Sequence, residues 1–204
     1  MVTQSMESRA GKSSDDETIG RVLEGEANAF AGLISCYQDH VFGIVAKHVP
    51  FANVPEIAQD VFVEAFRSLA NYAPKRPFDH WLARIAIRRC HDYWRVHYRQ
   101  RETPVSQMAG DAREMLDSGS PIGMSAQSRK PDPRDDAREL VDIILNRREP
   151  DDRMVLTMVH FEDRSIKETA QLLGWTRSKV KVRAHRARMR MREELKDFAA
   201  ERGL

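Results

Sequence analysis

Apolar residues recur every three or four positions along most of this chain, the period of helices that bury one face. From Thr18, the residues Ile19, Val22, Leu23, Phe30, Leu33, Ile34, Tyr37, Val41, Ile44 and Val45 keep that spacing. Gly25 divides them into a short helix and a longer one that runs to about Val49, where Pro50 ends it. Pro55 suits a first helical turn. The helix it opens sets Ala58, Phe62, Ala65, Phe66 and Leu69 against a polar face of Glu56, Gln59, Asp60, Glu64 and Arg67. After the loop NYAPKRP, FDHWLARIAIRRCHDYWRVHYRQR reads as one long helix.

From Glu102 to about Asp136 the period disappears among Gly, Ser, Pro and acidic residues, a length that marks a linker rather than a loop within one domain. Four helical segments follow. Ala137, Leu140, Val141, Ile144 and Leu145 mark the first; Met154, Val155, Met158 and Val159 face inward in the second, behind Pro150. Ser165 and Glu168 form a capping-box pattern ahead of the third. Gly174 ends that helix, and Thr176 is the N-cap of the last, which buries Val180, Ala184, Ala187, Met191, Leu195 and Phe198. No strand-like alternation of useful length occurs. The fold class expected is all-α: two small helical domains, 18–101 and 137–200, joined by a flexible linker over 102–136 and preceded by a polar, disordered tail over 1–17.

Composition narrows the partners. The 204 residues carry 33 Lys plus Arg against 31 Asp plus Glu, a net charge of only +2, so any basic surface must come from local clustering. Two cysteines, Cys36 and Cys90, are too few for a disulfide framework or a four-cysteine zinc site. No apolar run is long enough to span a bilayer, and MVTQSMESRAGKSSDDE has no hydrophobic stretch of the kind a secretory signal needs. A cytoplasmic protein that is not membrane-inserted is the expectation.

The clustering is strongest at the C-terminal end. Ser165–Arg192 reads as a short helix, a Gly-containing turn and a longer helix, the helix-turn-helix pattern. The longer helix carries Arg177, Lys179, Lys181, Arg183, Arg186, Arg188, Arg190 and Arg192, with no acid of its own until Glu193. So many like charges repel on an isolated helix, and a phosphate backbone relieves that repulsion. A second basic helix, Trp81–Arg101, interleaves Arg84, Arg88, Arg89, Arg95, Arg99 and Arg101 with aromatic rings, the combination that holds unpaired bases. Of its aromatics, Trp81 and Phe78 are expected to face largely inward.

In this order the three features resemble the extracytoplasmic-function (ECF) sigma factors of bacterial RNA polymerase, within the sigma-70 family. EIAQDVFVEAF resembles the family's D-x-V-Q-E-V-F-x-x-A-[WF] segment, and PFDHWLARIA its P-F-x-x-W-L-x-x-I-A segment. HDYWR matches the ending I-D-x-x-R at Asp92 and Arg95. SIKETAQLLGWTRSKVKVRAHRARMRM resembles S-x-x-E-I-A-x-x-L-G-x-S-x-x-x-V-K-x-R-x-x-R-A-R, with Val180, Lys181, Arg183, Arg186, Ala187 and Arg188 at matching positions. The resemblance implies a region 2 bundle over 18–101 and a region 4 helix-turn-helix over 137–200. It implies core polymerase binding by Glu56, Gln59, Asp60 and Glu64. It assigns capture of the promoter's minus-ten element to Asn71, Lys75, Arg76, Phe78, Arg84, Arg88, Arg89 and Arg95, through a flipped base. Minus-35 recognition falls to Thr176, Arg177, Ser178, Lys179, Lys181, Arg183, Arg186 and Arg188. Along the linker, Glu102, Asp111, Glu114 and Asp117 take the place of nucleic acid in the polymerase channels. The partners implied are core RNA polymerase, promoter DNA and an anti-sigma factor, often membrane-anchored, in a stress- or signal-responsive role.

The chain also departs from the family pattern. Ile87-Arg88 stands where relatives carry an Arg-Asn pair, Arg84-Ile85 where primary sigma factors carry a tandem Trp wedge, and Lys179 where a small Thr is usual. The second reading is a helix-turn-helix regulator that binds duplex DNA without polymerase; it leaves the aromatic-basic helix without a role. A third is an adaptor that resembles a sigma factor and titrates its partners without opening DNA, and the retained basic face at Arg177–Arg192 argues against it. Catalysis by Cys90 with His91, or Cys36 with His40, lacks an orienting group. The same four residues make a poor zinc site. The chain is expected to be no enzyme and to need no cofactor or metal.

Overall fold

The computed structural model describes residues 14–73, 77–102, 141 and 143–202. Helix α1 spans residues 14–23, α2 Phe30–Val45, α3 Val54–Ser68 and α4 Phe78–Glu102. A helical stretch at 143–146 precedes α5, Pro150–Leu156, which continues as a π-helical turn over Thr157–Phe161. Helix α6 spans Ile166–Leu173 and α7 Arg177–Arg202. No strand occurs among the described residues.

The local signals read from the chain act as expected. Pro55 and Pro150 each sit in a first turn, where their missing N–H removes nothing from the helix. Around Ser165 the capping box is complete: Glu168 N–H donates to Ser165 Oγ, and Ser165 N–H donates to Glu168 Oε2. Gly174 closes α6 at φ +69°, a left-handed conformation that disfavours any side chain. Thr176 Oγ1 accepts from Lys179 N–H and caps α7. One boundary differs. Helix α1 begins by Ser14, inside the stretch read as a tail, because the Tyr37 hydroxyl donates to Asp15 and ties the helix to α2.

Helix α4 organises the packing. Phe78, Leu82, Ile85, Ala86, Ile87, Cys90 and Trp94 are all buried, more than one helical face can hold. The reason is that α4 packs against α2 and α3 on one side and against α5 and α6 on the other. One core cluster therefore runs from Leu33, Val45 and Val61 through α4 to Met154, Met158, Leu173 and Val180. A smaller cluster of Leu145, Leu156 and Ala187 closes the C-terminal unit. The two helical units thus share a continuous core through α4.

Candidate nucleic-acid interface

The polar face of α3 is presented as its amphipathic pattern requires. Val54, Ile57, Ala58, Val61, Phe62 and Ala65 are buried, which leaves Glu56, Gln59 and Asp60 exposed on the opposite side. Glu64 is partly covered and pairs with Arg89 of α4 at 2.6 Å, so residues assigned to two different interfaces hold each other at their border. Beside this face lies an apolar groove that the spacing alone does not reveal. Ile34, Phe42, Val63 and Phe66 remain exposed and line a cavity of about 490 Å³ together with Gln59. Phe66, placed on the apolar face by its spacing, is 44% exposed, with its ring edge-on to Phe30 at 5.2 Å.

The residues assigned to the minus-ten element divide into three groups. Asn71 is exposed at the end of a short 3-10 turn, and Arg88 and Arg95 are exposed on α4, Arg95 lying 3.9 Å from Asp92. Arg84 and Arg89 are half-buried, while Lys75 and Arg76 lie outside the described residues. Phe78 faces inward as expected, and its assignment to the minus-ten strand requires a correction. It is 2% exposed and packs edge-on against Tyr37 and Tyr72 and beside Trp81, so its ring belongs to the core and is closed to a base. Of the linker acids, Glu102 ends α4, and Asp111, Glu114 and Asp117 lie outside the described residues.

On α7 the buried stripe of Val180, Ala184 and Ala187 fixes which side faces out. The opposite face presents Ser178, Val182, His185 and Met189, flanked by Lys181 and Arg186, all exposed. Val182 and His185 are missing from the assignment made on charge, yet they share the helical register of Ser178 at three- and four-residue steps. Arg177 and Arg188 are also exposed.

Lys179 and Arg183 behave differently, and here the structure corrects the view that these cations lack acidic partners. The acids come from α5 and the residue before it. Lys179 lies 3.5 Å over the Trp175 ring and 3.6 Å from Asp151. Arg183 donates to Asp152 at 2.6 Å and Glu149 at 3.1 Å and lies 3.4 Å from Asp151. Partial burial disfavours the Arg183 charge, but Asp152, Glu149 and Asp151 outweigh it and raise the pKa. Arg190 also holds Asp152, whose side chain is 4% exposed. These contacts sit between α5 and α7 and orient the helix-turn-helix.

One cysteine packs in the core and the other lies at the surface. Cys90 is fully buried, and that burial pushes its thiol up to about 12, far from a thiolate at neutral pH. Its neighbour His91 is engaged with Asp151 at 2.8 Å. Cys36 is exposed on α2. No cluster of three or more metal-ligating side chains occurs among the described residues. None of the described helices is long and apolar enough to cross a membrane.

Two family models match the two helical units. Residues 33–100 match sigma-70 region 2 and residues 144–191 match sigma-70 region 4, together more than half of the chain. The chain belongs to the sigma-70 family. Within it, the similarity is to ECF members. It is 27% identical over 175 residues to the ECF RNA polymerase sigma-E factor of Escherichia coli K12, covering 86% of this chain and 91% of that protein. It is 26% identical over 176 residues to the sigma-E factor of Haemophilus influenzae, covering 86% and 92%. Among solved structures, the sigma factor RpoE of Bartonella quintana, in complex with the anti-sigma factor NepR, shares the fold at a TM-score of 0.50. It is 20% identical and covers 82% of this chain and 96% of that one.

Proposed function

We propose that this chain recruits core RNA polymerase to a particular class of promoters as an ECF sigma factor, working in the cytoplasm as a regulator without catalysis of its own. The observation that carries this reading is the joint match of sigma-70 regions 2 and 4, in order, to a chain whose exposed α3 carboxylates, α4 arginines and α7 helix-turn-helix fall at the corresponding places. Region 2 takes residues 18–101, region 4 residues 137–200, and 102–136 link them.

Glu56, Gln59 and Asp60 dock on polymerase, with the groove of Ile34, Phe42, Val63 and Phe66 supplying the apolar part of the contact. Such a division suits an interface in which buried hydrophobic anchors give affinity and rim charges give register. Asn71, Arg88, Arg89 and Arg95 face the minus-ten strand, and the outward side of α7 enters the major groove at minus-35. There Lys181 and Arg186 suit guanine edges or phosphates, and Val182 suits a thymine methyl. An anti-sigma partner, as in the RpoE–NepR complex, would regulate the chain by covering these surfaces.

The experiment is run-off transcription from a pool of promoter fragments with bacterial core polymerase. Initiation at a discrete subset that requires both core and this chain is the expected result. Sequence-specific DNA binding by the chain alone, with no initiation, would instead establish a free-standing helix-turn-helix regulator, a reading that leaves the region 2 match unused.

A further inference from the structure

The cations of α7 sort by what holds them. Arg177, Lys181, Arg186 and Arg188 are exposed. Arg183 and Arg190 instead converge on one carboxylate. Arg183 Nη1 donates to Asp152 Oδ1 at 2.6 Å, and Arg190 Nη1 donates to Oδ2 at 3.0 Å, so each oxygen of Asp152 is taken by a different arginine. The Asp152 side chain is 4% exposed. Glu149 at 3.1 Å and Asp151 at 3.4 Å add to the pull on Arg183. Arg183 and Arg190 stand seven residues apart, about two turns and about 10 Å along one side of α7. A carboxylate tied to both resists rolling of the helix about its axis and sliding along it.

The apolar contact alone does not supply that constraint. The stripe buried on α7 is Val180, Ala184 and Ala187, and the cluster that joins it to α5 is Leu145, Leu156 and Ala187. Small side chains form low ridges, and apolar contact is non-directional, so such packing tolerates small rotations. Charge-assisted hydrogen bonds are short and directional. The margin for reading DNA is narrow. Side chains reach about 5–6 Å from a helix axis, so a roll of about 20° carries a tip about 2 Å, further than a hydrogen bond tolerates.

We infer that Arg183 and Asp152 are positioning residues of the helix-turn-helix: they set the roll at which Ser178, Lys181, Val182, His185 and Arg186 meet the major groove, and Arg183 itself contacts no DNA. The inference deepens the minus-35 half of the proposed function and rests on it. Arg183 moves from the readers, where its motif position placed it, to the frame that aims them. Base preference at minus-35 then depends on Asp152, a nearly enclosed side chain of α5 that lies 31 residues before Arg183. Arg190 holds the second oxygen and completes the two-point pin.

The test is selection by the full-length chain with core polymerase, from fragments randomised across the minus-35 stretch of a promoter that supports run-off. The salt dependence of binding to the best fragment is measured alongside. Arg183→Ala should lower the ratio between best and worst base at least fivefold at two or more positions at once, with the log–log salt slope unchanged. Asp152→Asn should flatten the same positions, and the double variant should do no worse than either alone. Loss at a single position would make Arg183 a base reader. A slope shallower by about 1, with preferences intact, would make it a phosphate contact. Either result overturns the inference, as does a wild-type profile from Asp152→Asn. Arg190→Ala separates aim from a general loosening of the fold, because its side chain is 55% exposed. It should flatten the same positions at least twofold, and no change would overturn the two-point pin. If no fragment initiates, the sigma factor reading falls, and a random duplex pool is selected by the chain alone. There, shared flattening by the same variants upholds the positioning, and no selection of any duplex overturns it.

Discussion

Helices α4 and α7 are both long and rich in arginine, yet they serve the fold in opposite ways. Helix α4 buries more than one face between two packed units, while Arg88, Arg95 and Arg99 stay exposed. Helix α7 buries one narrow stripe and leaves most of its surface open. The difference lies in the residues between the arginines. On α4 these are Leu82, Ile85, Ile87, Cys90 and Trp94, which bury apolar area against two neighbours. On α7 they are mostly Ala, Val and Met, which support one contact and spare the rest of the helix for a partner. Arginine content alone therefore says little about which helix carries the core and which meets DNA.

The largest expected effect tests α4 as the shared support. Trp94→Ala removes a buried ring, its hydrogen bond to His48 and the platform under Arg153. It should cost about 3–5 kcal/mol in denaturant unfolding. Met189→Ala, on the open face of α7, should stay within about 0.5 kcal/mol. Equal costs would erase the contrast.

Acid should act on the contact between His48, after α2, and Glu162, after the π-helical turn, which lie 2.9 Å apart. Burial works against the Glu162 charge, but His48 and Arg164 outweigh it and hold its pKa at about 2, below the ordinary 4.5. A carboxylate whose pKa is lowered by folding adds stability that is fully present above about pH 4.5 and lost as pH falls toward 2. The contribution is at most about 3 kcal/mol. Thermal melts of wild type and Glu162→Gln between pH 5 and 2.5 should converge at the acid end, and parallel curves would refute the pairing.

Within α7, cations held by α5 should separate from cations facing out. Arg183→Ala should cost about 1–2 kcal/mol of folding stability, since it strips a partner from the nearly buried Asp152. Lys181→Ala should leave the fold within about 0.5 kcal/mol and weaken minus-35 binding by about 1–3 kcal/mol if it reads a base edge. A loss uniform across sequences would make Lys181 a phosphate contact.

The smallest change to the fold is expected on α3. Gln59→Ala with Asp60→Ala should leave the unfolding midpoint in place and weaken core polymerase binding about tenfold, or about 1.4 kcal/mol. Unchanged affinity in a binding titration would move the polymerase contact elsewhere. Both side chains are exposed, so a fall in stability would itself be unexpected.

Much of this protein is local, and local physics is written in the chain. The prolines that open α3 and α5, the Ser165–Glu168 box, the left-handed Gly174 and the Thr176 cap need only a few neighbouring residues, so spacing and residue type suffice to place them. The periodic apolar positions likewise give the inward faces of α3 and α7, and the quoted motifs identify the family. Burial on the remaining sides of a helix depends on what lies across from it, and periodicity does not report that. Leu23 keeps the spacing and is 54% exposed because none of the described residues covers it, whereas Phe78, expected inward yet also assigned to DNA from its motif position, is enclosed by three aromatic rings. The acids that hold Lys179 and Arg183 lie some thirty residues earlier in the chain, and the carboxylate that pairs with His48 lies more than a hundred residues later. Only folding brings such charges within 4 Å, so the ion pairs, the divided roles of the α7 cations and the shared core through α4 were decided by tertiary packing.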